Sequence, residues 1–242
     1  MLARWPHPRL GLVPPDVFVP IAEDAGLIVA MTERLLRRAC REAATWPEHL
    51  TLAVNVSTVQ LRDRGLPEMI RQALADSGLS PRQLEIELTE SALLVDFDLA
   101  RQILCDLKAI GVRLVLDDFG TGYSSLRHLH VLPIDKLKID SSLIRSMQGN
   151  AASRTIIAAI AGLGHSLGIP SVAEGIEDSS TAAALTALGC DVGQGWLYGH
   201  AVSGKRVQVM LAGLGFETTS ASLADASLAN ASLAGLRPSP AV

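Results

Sequence analysis

The sequence predicts an α/β domain built on a parallel sheet, and three observations predict it. Short apolar runs of strand length alternate with longer stretches whose apolar residues recur every three or four positions. Polar groups gather just after the apolar runs. Hydrophobic residues make up 48% of a 242-residue chain, enough to bury a sizeable core. Repeated strand–helix units imply parallel strands with helices outside them. Periodicity alone does not separate an open sheet from a closed barrel.

In chain order, the strand-like runs are 52–56, 84–88, 112–116, 136–139, 171–173 and 191–196. Between them, Leu35, Leu36, Ala39 and Cys40 form one helical face, and Leu99, Ile103, Leu104 and Leu107 another. Asp98 and Ser141 are read as helix caps, and Gly111 and Gly168 stand just past helical runs as stops. Residues 221–235 read ASLAD, ASLAN, ASLAG, a five-residue repeat. Three copies are too few to bury a core of their own, so residues 215–242 are expected to be a flexible tail outside a domain spanning 1–214.

Composition excludes several functions. A net charge of −4, with no run of Lys or Arg, argues against general nucleic-acid or anionic-membrane binding. The three scattered cysteines, Cys40, Cys105 and Cys190, do not make a disulfide framework and fit a reducing cytoplasm. Arg4, Pro6, His7 and Arg9 rule out the apolar core of a signal peptide at the start. Arg, Asp or Glu interrupts every apolar stretch before it reaches membrane-spanning length.

The chemistry lies in the polar groups that follow the strands. The six runs end in turn with Asn55; Glu87 and Glu90; Asp117 and Asp118; Lys138 and Asp140; Glu174 and Glu177; and Gln194. Ligand sites of α/β sheets and barrels lie at the C-terminal ends of strands, so six such strands would converge on one point. Several carboxylates in one place repel one another unless a cation joins them. Oxygen-only ligands, with no Cys and no strand-end His, favour Mg²⁺ or Mn²⁺, with Ca²⁺ also open, over zinc. Two such ions clamp a phosphodiester for in-line attack by water, with Lys138 as a positive group near the water or the phosphoryl oxygens. A single acid after a strand is more often a helix cap or a solvated loop residue. Two adjacent acids followed by Gly-x-Gly, as in Asp117–Tyr123, make a poor core and a good ligand loop.

At these residues the chain resembles the EAL family of cyclic di-GMP phosphodiesterases. The matching motifs are Val54-Asn55-Val56-Ser57, Glu87-Leu88-Thr89-Glu90-Ser91 and Asp117-Asp118-Phe119-Gly120-Thr121-Gly122-Tyr123. They continue with Asp135-Lys136-Leu137-Lys138-Ile139-Asp140, Ala173-Glu174-Gly175-Ile176-Glu177 and Gln194-Gly195-Trp196. The resemblance implies a modified TIM-like (β/α)8 barrel and hydrolysis of cyclic di-GMP to the linear dinucleotide with two Mg²⁺ or Mn²⁺ ions. It implies Asn55, Glu87, Asp117, Asp118 and Glu174 as metal ligands, with Lys138 and Glu177 as catalytic residues. Arg4 and Gln194 would bind substrate, and Glu90 would hold the loop that begins at Asp117. It further implies a homodimer in the intact domain and upstream sensory or GGDEF-type domains.

Leu2, Arg4 and Trp5 match the family's namesake motif, whose glutamate would fall one residue before Met1. As written, the barrel would lack its first strand and most of its second, and hydrolysis by residues 1–242 alone is expected to be impaired. A fragment or a wrongly assigned start is the favoured explanation. The alternative is a catalytically inactive EAL domain that serves as a cyclic di-GMP receptor or a protein-binding regulator. A Schiff-base role for Lys138 in an aldolase-like barrel is disfavoured, because that chemistry needs a desolvated lysine free of surrounding acids. His128, His130 and His165 have no ligand-like partner at helical spacing. Trp196 and Tyr123 suit either guanine stacking or core packing.

Overall fold

The computed structural model describes residues 1–93, 96–120, 126–213 and 230–231. The chain opens with a small antiparallel hairpin, β1 (Trp5–His7) and β2 (Gly11–Val13), paired through Trp5 with Val13 and Pro6 with Leu12. Six strands then follow one another in chain order within one sheet. They are β3 (Leu52–Asn55), β4 (Leu84–Thr89), β5 (Arg113–Phe119), β6 (Lys136–Ile139), β7 (Ser171–Ala173) and β8 (Val192–Gly193). All six anticipated strands are present. The sixth is shorter than expected, because the chain turns out of the ladder after Gly193 and Gln194 O accepts from Ile176 N in the loop that follows β7.

The chain divides into two units. The first comprises residues 1–86, 96–113 and 201–232. It holds α1 (Pro15–Asp24), α2 (Ile28–Ala43), α3 (Leu66–Ser77) and α4 (Phe97–Ile110). On α2, Leu36, Ala39, Cys40 and Ala43 are buried, while Arg37 pairs with Glu33 one turn back on the outer side. On α4, Ile103, Leu104 and Leu107 are buried, as their spacing predicts. Ile70 of α3 and Leu61, Leu84 and Ile86 complete this core. Each such Leu or Ile contributes about 1.5–3 kcal/mol by leaving water. The cap of α4 is Asp96, whose carboxylate accepts from Leu99 N at 3.1 Å; Asp98 lies inside the first turn instead. The chain also begins against β3, where the amino group of Met1 donates to the carbonyl of Ala53. Burial pushes the Cys40 thiol up to about 12, so it behaves as a small apolar side chain.

The second unit comprises residues 87–95, 114–200 and 233–242. The pairs β5–β6, β6–β7 and β7–β8 are parallel, with Leu116 opposite Leu137, Lys138 opposite Val172 and Ala173 opposite Gly193. The helices are α5 (Leu126–Val131), α6 (Ser141–Ser146), α7 (Ala151–Leu167) and α8 (Ser179–Ala187). Asn150 caps α7 by accepting from Ala152 N at 2.9 Å, and Gly168 ends it in the left-handed conformation at φ 70°. The cap of α6 is Asp140, not Ser141: its carboxylate accepts from Ser142 N at 2.8 Å. Leu114, Leu116, Leu137, Ile139, Ile157 and Ala173 form the core of this unit.

Further along the chain, in the first unit, α9 (Gly204–Gly213) follows β9 (Val202–Ser203), which pairs antiparallel with β10 (Asn230–Ala231). The rest of the expected tail lies outside the described residues. Among the described residues, no helix is long and apolar enough to cross a membrane.

Candidate metal centre

The second unit gathers its charged residues at the C-terminal ends of its strands. Glu87 sits within β4 and Lys138 within β6, both buried, and Glu174 follows β7. Asp117 and Asp118 are adjacent in β5, where alternation would send them to opposite faces. The pairing of β5 with β6 shifts register between Leu116 and Phe119, and Asp118 adopts φ 56°, a left-handed value uncommon outside glycine. The irregularity re-aims the strand end. Carboxylate oxygens of Asp117, Asp118 and Glu174 consequently lie within 4.8 Å of one another.

Lys138 stands among three carboxylates. Its Nζ lies 2.6 Å from Glu174 Oε1, 2.9 Å from Glu87 Oε1 and 3.1 Å from Asp117 Oδ2. Burial works against the ammonium, but Glu87, Glu174 and Asp117 outweigh it and raise its pKa. One ammonium cannot neutralise three carboxylates: the group carries −3 + 1 = −2 when all are ionised. The carboxyls respond accordingly. Burial pushes Glu174 up to about 7 against the pull of Lys138, with Asp117 and Glu87 adding to the rise. Burial likewise raises Asp117, opposed by Lys138 and reinforced by Glu87.

Asp118 is raised by burial and by the neighbouring Asp117 and Asp140. Its carboxyl shares a hydrogen bond with Asp140. Burial of Asp140 is outweighed by hydrogen bonds from Ser142, which hold it below the usual range. In the sequence, Asp140 followed a strand without a role. Its position two residues after Lys138, on the same strand end, was the available signal.

The remaining expected site residues are less central. Glu177 is exposed and Gln194 half-buried, the latter engaged through its backbone with the loop after β7. Glu90 is buried, and neither of its carboxylate oxygens meets a donor among the described residues. Residues 121–125 of the loop it was expected to hold lie outside those described. In the first unit, Asn55 is exposed at the end of β3, and half-buried Arg4 donates to Ala3 O at 2.9 Å.

Hard oxygen donors carrying excess negative charge fit a divalent cation of the Mg²⁺ or Mn²⁺ class. The centre meets that description with Asp117, Asp118 and Glu174. Residues 1–201 match the family model described as EAL domain. The chain belongs to the EAL domain family. It is 40% identical over 215 residues to the bifunctional diguanylate cyclase/cyclic di-GMP phosphodiesterase MucR of Pseudomonas aeruginosa, covering 87% of this chain and 31% of that protein. It spans 25% of the length of each of two further curated relatives. Among solved structures, the PaMucR phosphodiesterase in complex with c-di-GMP matches with a TM-score of 0.82 at 40% identity, covering 85% of both chains. The Klebsiella pneumoniae BlrP1 calcium/cy-diGMP complex matches with a TM-score of 0.68 at 32% identity, over 76% of this chain and 47% of that one.

Proposed function

We propose that this EAL domain hydrolyses cyclic di-GMP to the linear dinucleotide with two Mg²⁺ or Mn²⁺ ions. The observation that carries the reading is the cluster of Glu87, Asp117 and Glu174 around Lys138, which has two negative charges in excess when its carboxyls are ionised. Family resemblance adds Asn55 to the ligand set of Glu87, Asp117, Asp118 and Glu174. When bound, the ions would polarise the phosphodiester and lower the pKa of a water. Lys138 would orient that water and offset charge on the phosphoryl oxygens. The water oxygen would bond to phosphorus as the water gives up a proton, one ester P–O bond would break, and the leaving sugar oxygen would take up a proton in exchange. Glu177 would assist near the reacting phosphate, Arg4 and Gln194 would bind the dinucleotide, and Glu90 would hold the loop beyond Asp118.

The same reading carries a modified (β/α)8 barrel over residues 1–214, with 215–242 as an appended tail. It includes a homodimer and upstream sensory or GGDEF-type domains in the whole protein.

The test incubates cyclic di-GMP with purified chain 1–242 and with an upstream-extended form, in Mg²⁺ or Mn²⁺, and separates products by chromatography. Linear dinucleotide from the extended form, lost in Lys138→Met, supports the reading. Binding without turnover in both forms would replace it with a receptor role. Full activity of 1–242 would refute the expected impairment.

A further inference from the structure

We propose that the segment 193–198 is a clasp that sets the position of Glu174, with Gly195 as its positioning residue; this rests on the metal-site reading above. Glu174 has no helix or strand of its own to hold it. It follows the three-residue strand β7 and opens an irregular loop. Its backbone is tied to β6 by Glu174 N donating to Ile139 O at 3.3 Å. The other side of the loop is tied by the segment that leaves β8. Gln194 N donates to Ala173 O at 2.9 Å, Ile176 N donates to Gln194 O at 3.0 Å, and Leu197 N donates to Ile176 O at 3.0 Å. Tyr198 N donates to Gly195 O at 3.1 Å and closes the segment on itself. These bonds bracket Glu174 from the residue before it to the second residue after it.

Such a wrap requires two backbones to touch. A Cβ on Gly195 would lie 2.2 Å from both the N and the O of Ile176, far inside contact distance and against main-chain atoms that cannot rotate away. Any side chain there must push residues 194–197 of the clasp off the loop. Gly193 is crowded in a softer way. A Cβ there would meet Tyr198 Oη at 2.7 Å and Ile176 Cδ1 at 2.8 Å, both at the ends of movable side chains. Glu174 makes the shortest of the three contacts to Lys138, at 2.6 Å, so displacing its loop is felt first in that pair. Sites of this kind tolerate only about 0.5 Å of misplacement. The clasp thus gives the Gln194-Gly195 motif a role through its main chain, separate from any contact of the Gln194 side chain with substrate.

The experiment compares the full chain with Gly195→Ala, Gly193→Ala and Gly162→Ala, the last on α7 where an added Cβ meets nothing within 4 Å. Two readouts are taken on folded protein: Mn²⁺ affinity by electron paramagnetic resonance of the free ion, and the NMR signal of the Lys138 ammonium, which its carboxylate partners protect from exchange. The expected result is a loss of roughly tenfold or more in Mn²⁺ affinity, together with loss of the Lys138 signal, in Gly195→Ala. Gly193→Ala should shift both in the same direction by less, and Gly162→Ala neither. A glycine needed only for folding would lower the unfolding temperature and leave both readouts of the folded protein intact. Folded Gly195→Ala with affinity within twofold of the parent and an unchanged Lys138 signal overturns the proposal. Should Gly195→Ala not fold, Gly193→Ala decides on the same two readouts. If the parent chain itself binds no Mn²⁺, the metal reading fails, while the Lys138 signal still decides the clasp.

Discussion

Replacing Lys138 by methionine removes one positive charge and leaves Glu87, Asp117 and Glu174 facing one another. The ammonium it deletes stands 2.6, 2.9 and 3.1 Å from their oxygens, on a side chain only 7% exposed. At an effective dielectric of 20, each such pair attracts by about 5–6 kcal/mol before desolvation and carboxylate repulsion are counted. Those opposing effects absorb most of it, and truncating one partner of a buried pair costs about 3–5 kcal/mol net. For a domain of this size that lowers the melting temperature by roughly 6–20 °C. The assay is urea and thermal unfolding of the parent and Lys138→Met in EDTA at pH 8, followed by circular dichroism. As pH falls through about 7 Glu174 takes up a proton, so the deficit should shrink. Millimolar Mg²⁺ should also narrow it at pH 8, by supplying the charge that the lysine no longer does. A deficit under about 1 kcal/mol in EDTA would refute the electrostatic account, since isosteric apolar replacement of buried ions can be neutral. A full deficit unmoved by Mg²⁺ would refute the cation site.

Three further outcomes follow from the same geometry. Glu174, pushed up to about 7 from an ordinary 4.5, binds its proton more tightly folded than unfolded, so its stabilising effect is complete below pH 4.5 and lost as pH rises through 7. That amounts to about 3 kcal/mol without metal; Glu174→Gln should flatten the urea midpoint between pH 5 and 8, and an unchanged slope would count against the raised pKa. Asp117→Asn removes a carboxylate shared by the Lys138 pair and the three-acid group, and should weaken Mn²⁺ binding by roughly tenfold or more, read by calorimetry. Asn150→Ala deletes the cap of α7 and should cost about 1 kcal/mol in chemical unfolding, with Asn150→Asp largely retaining it.

The sheet was legible because strands buried on both sides read as apolar runs, and because each run delivers a polar residue at its end. The runs 136–139 and 171–173 matched β6 and β7 to the residue. The β1–β2 hairpin was not anticipated. Its strands are three residues long and contain Pro6 and Gly11, so they carry no alternation to detect. The sixth run overshot because composition does not reveal that the chain leaves the ladder after Gly193, where Gln194 O and Leu197 N bond Ile176 instead. The caps were misplaced by one and two residues, since Asp140 and Ser141, or Asp96 and Asp98, are chemically equivalent candidates until the backbone selects one. For the site, residue types were readable but mutual distances were not. Lys138 and Asp117 are 21 residues apart, and only the strand register brings them to 3.1 Å.

The charge imbalance at Lys138 separates a binding centre from a structural ion pair. A pair kept for stability would be neutral, and even a neutral buried pair often does no better than apolar side chains of the same volume. Here three carboxylates surround one ammonium, a fourth lies within 4.8 Å of two of them, and Asp140 adds a fifth through its bond to Asp118. The backbone is bent to assemble this excess: Asp118 takes a left-handed φ, and β5 breaks register at the two aspartates. Non-glycine residues in such conformations cost about 1–3 kcal/mol each. The fold is therefore weakened twice at one place, by strain and by repulsion. A divalent cation would relieve the repulsion directly and would hold both aspartates where the strain has put them. The apo chain should accordingly gain more stability from Mg²⁺ or Mn²⁺ than from the same ionic strength of Na⁺, and loss of that difference in Asp117→Asn would tie the gain to this centre.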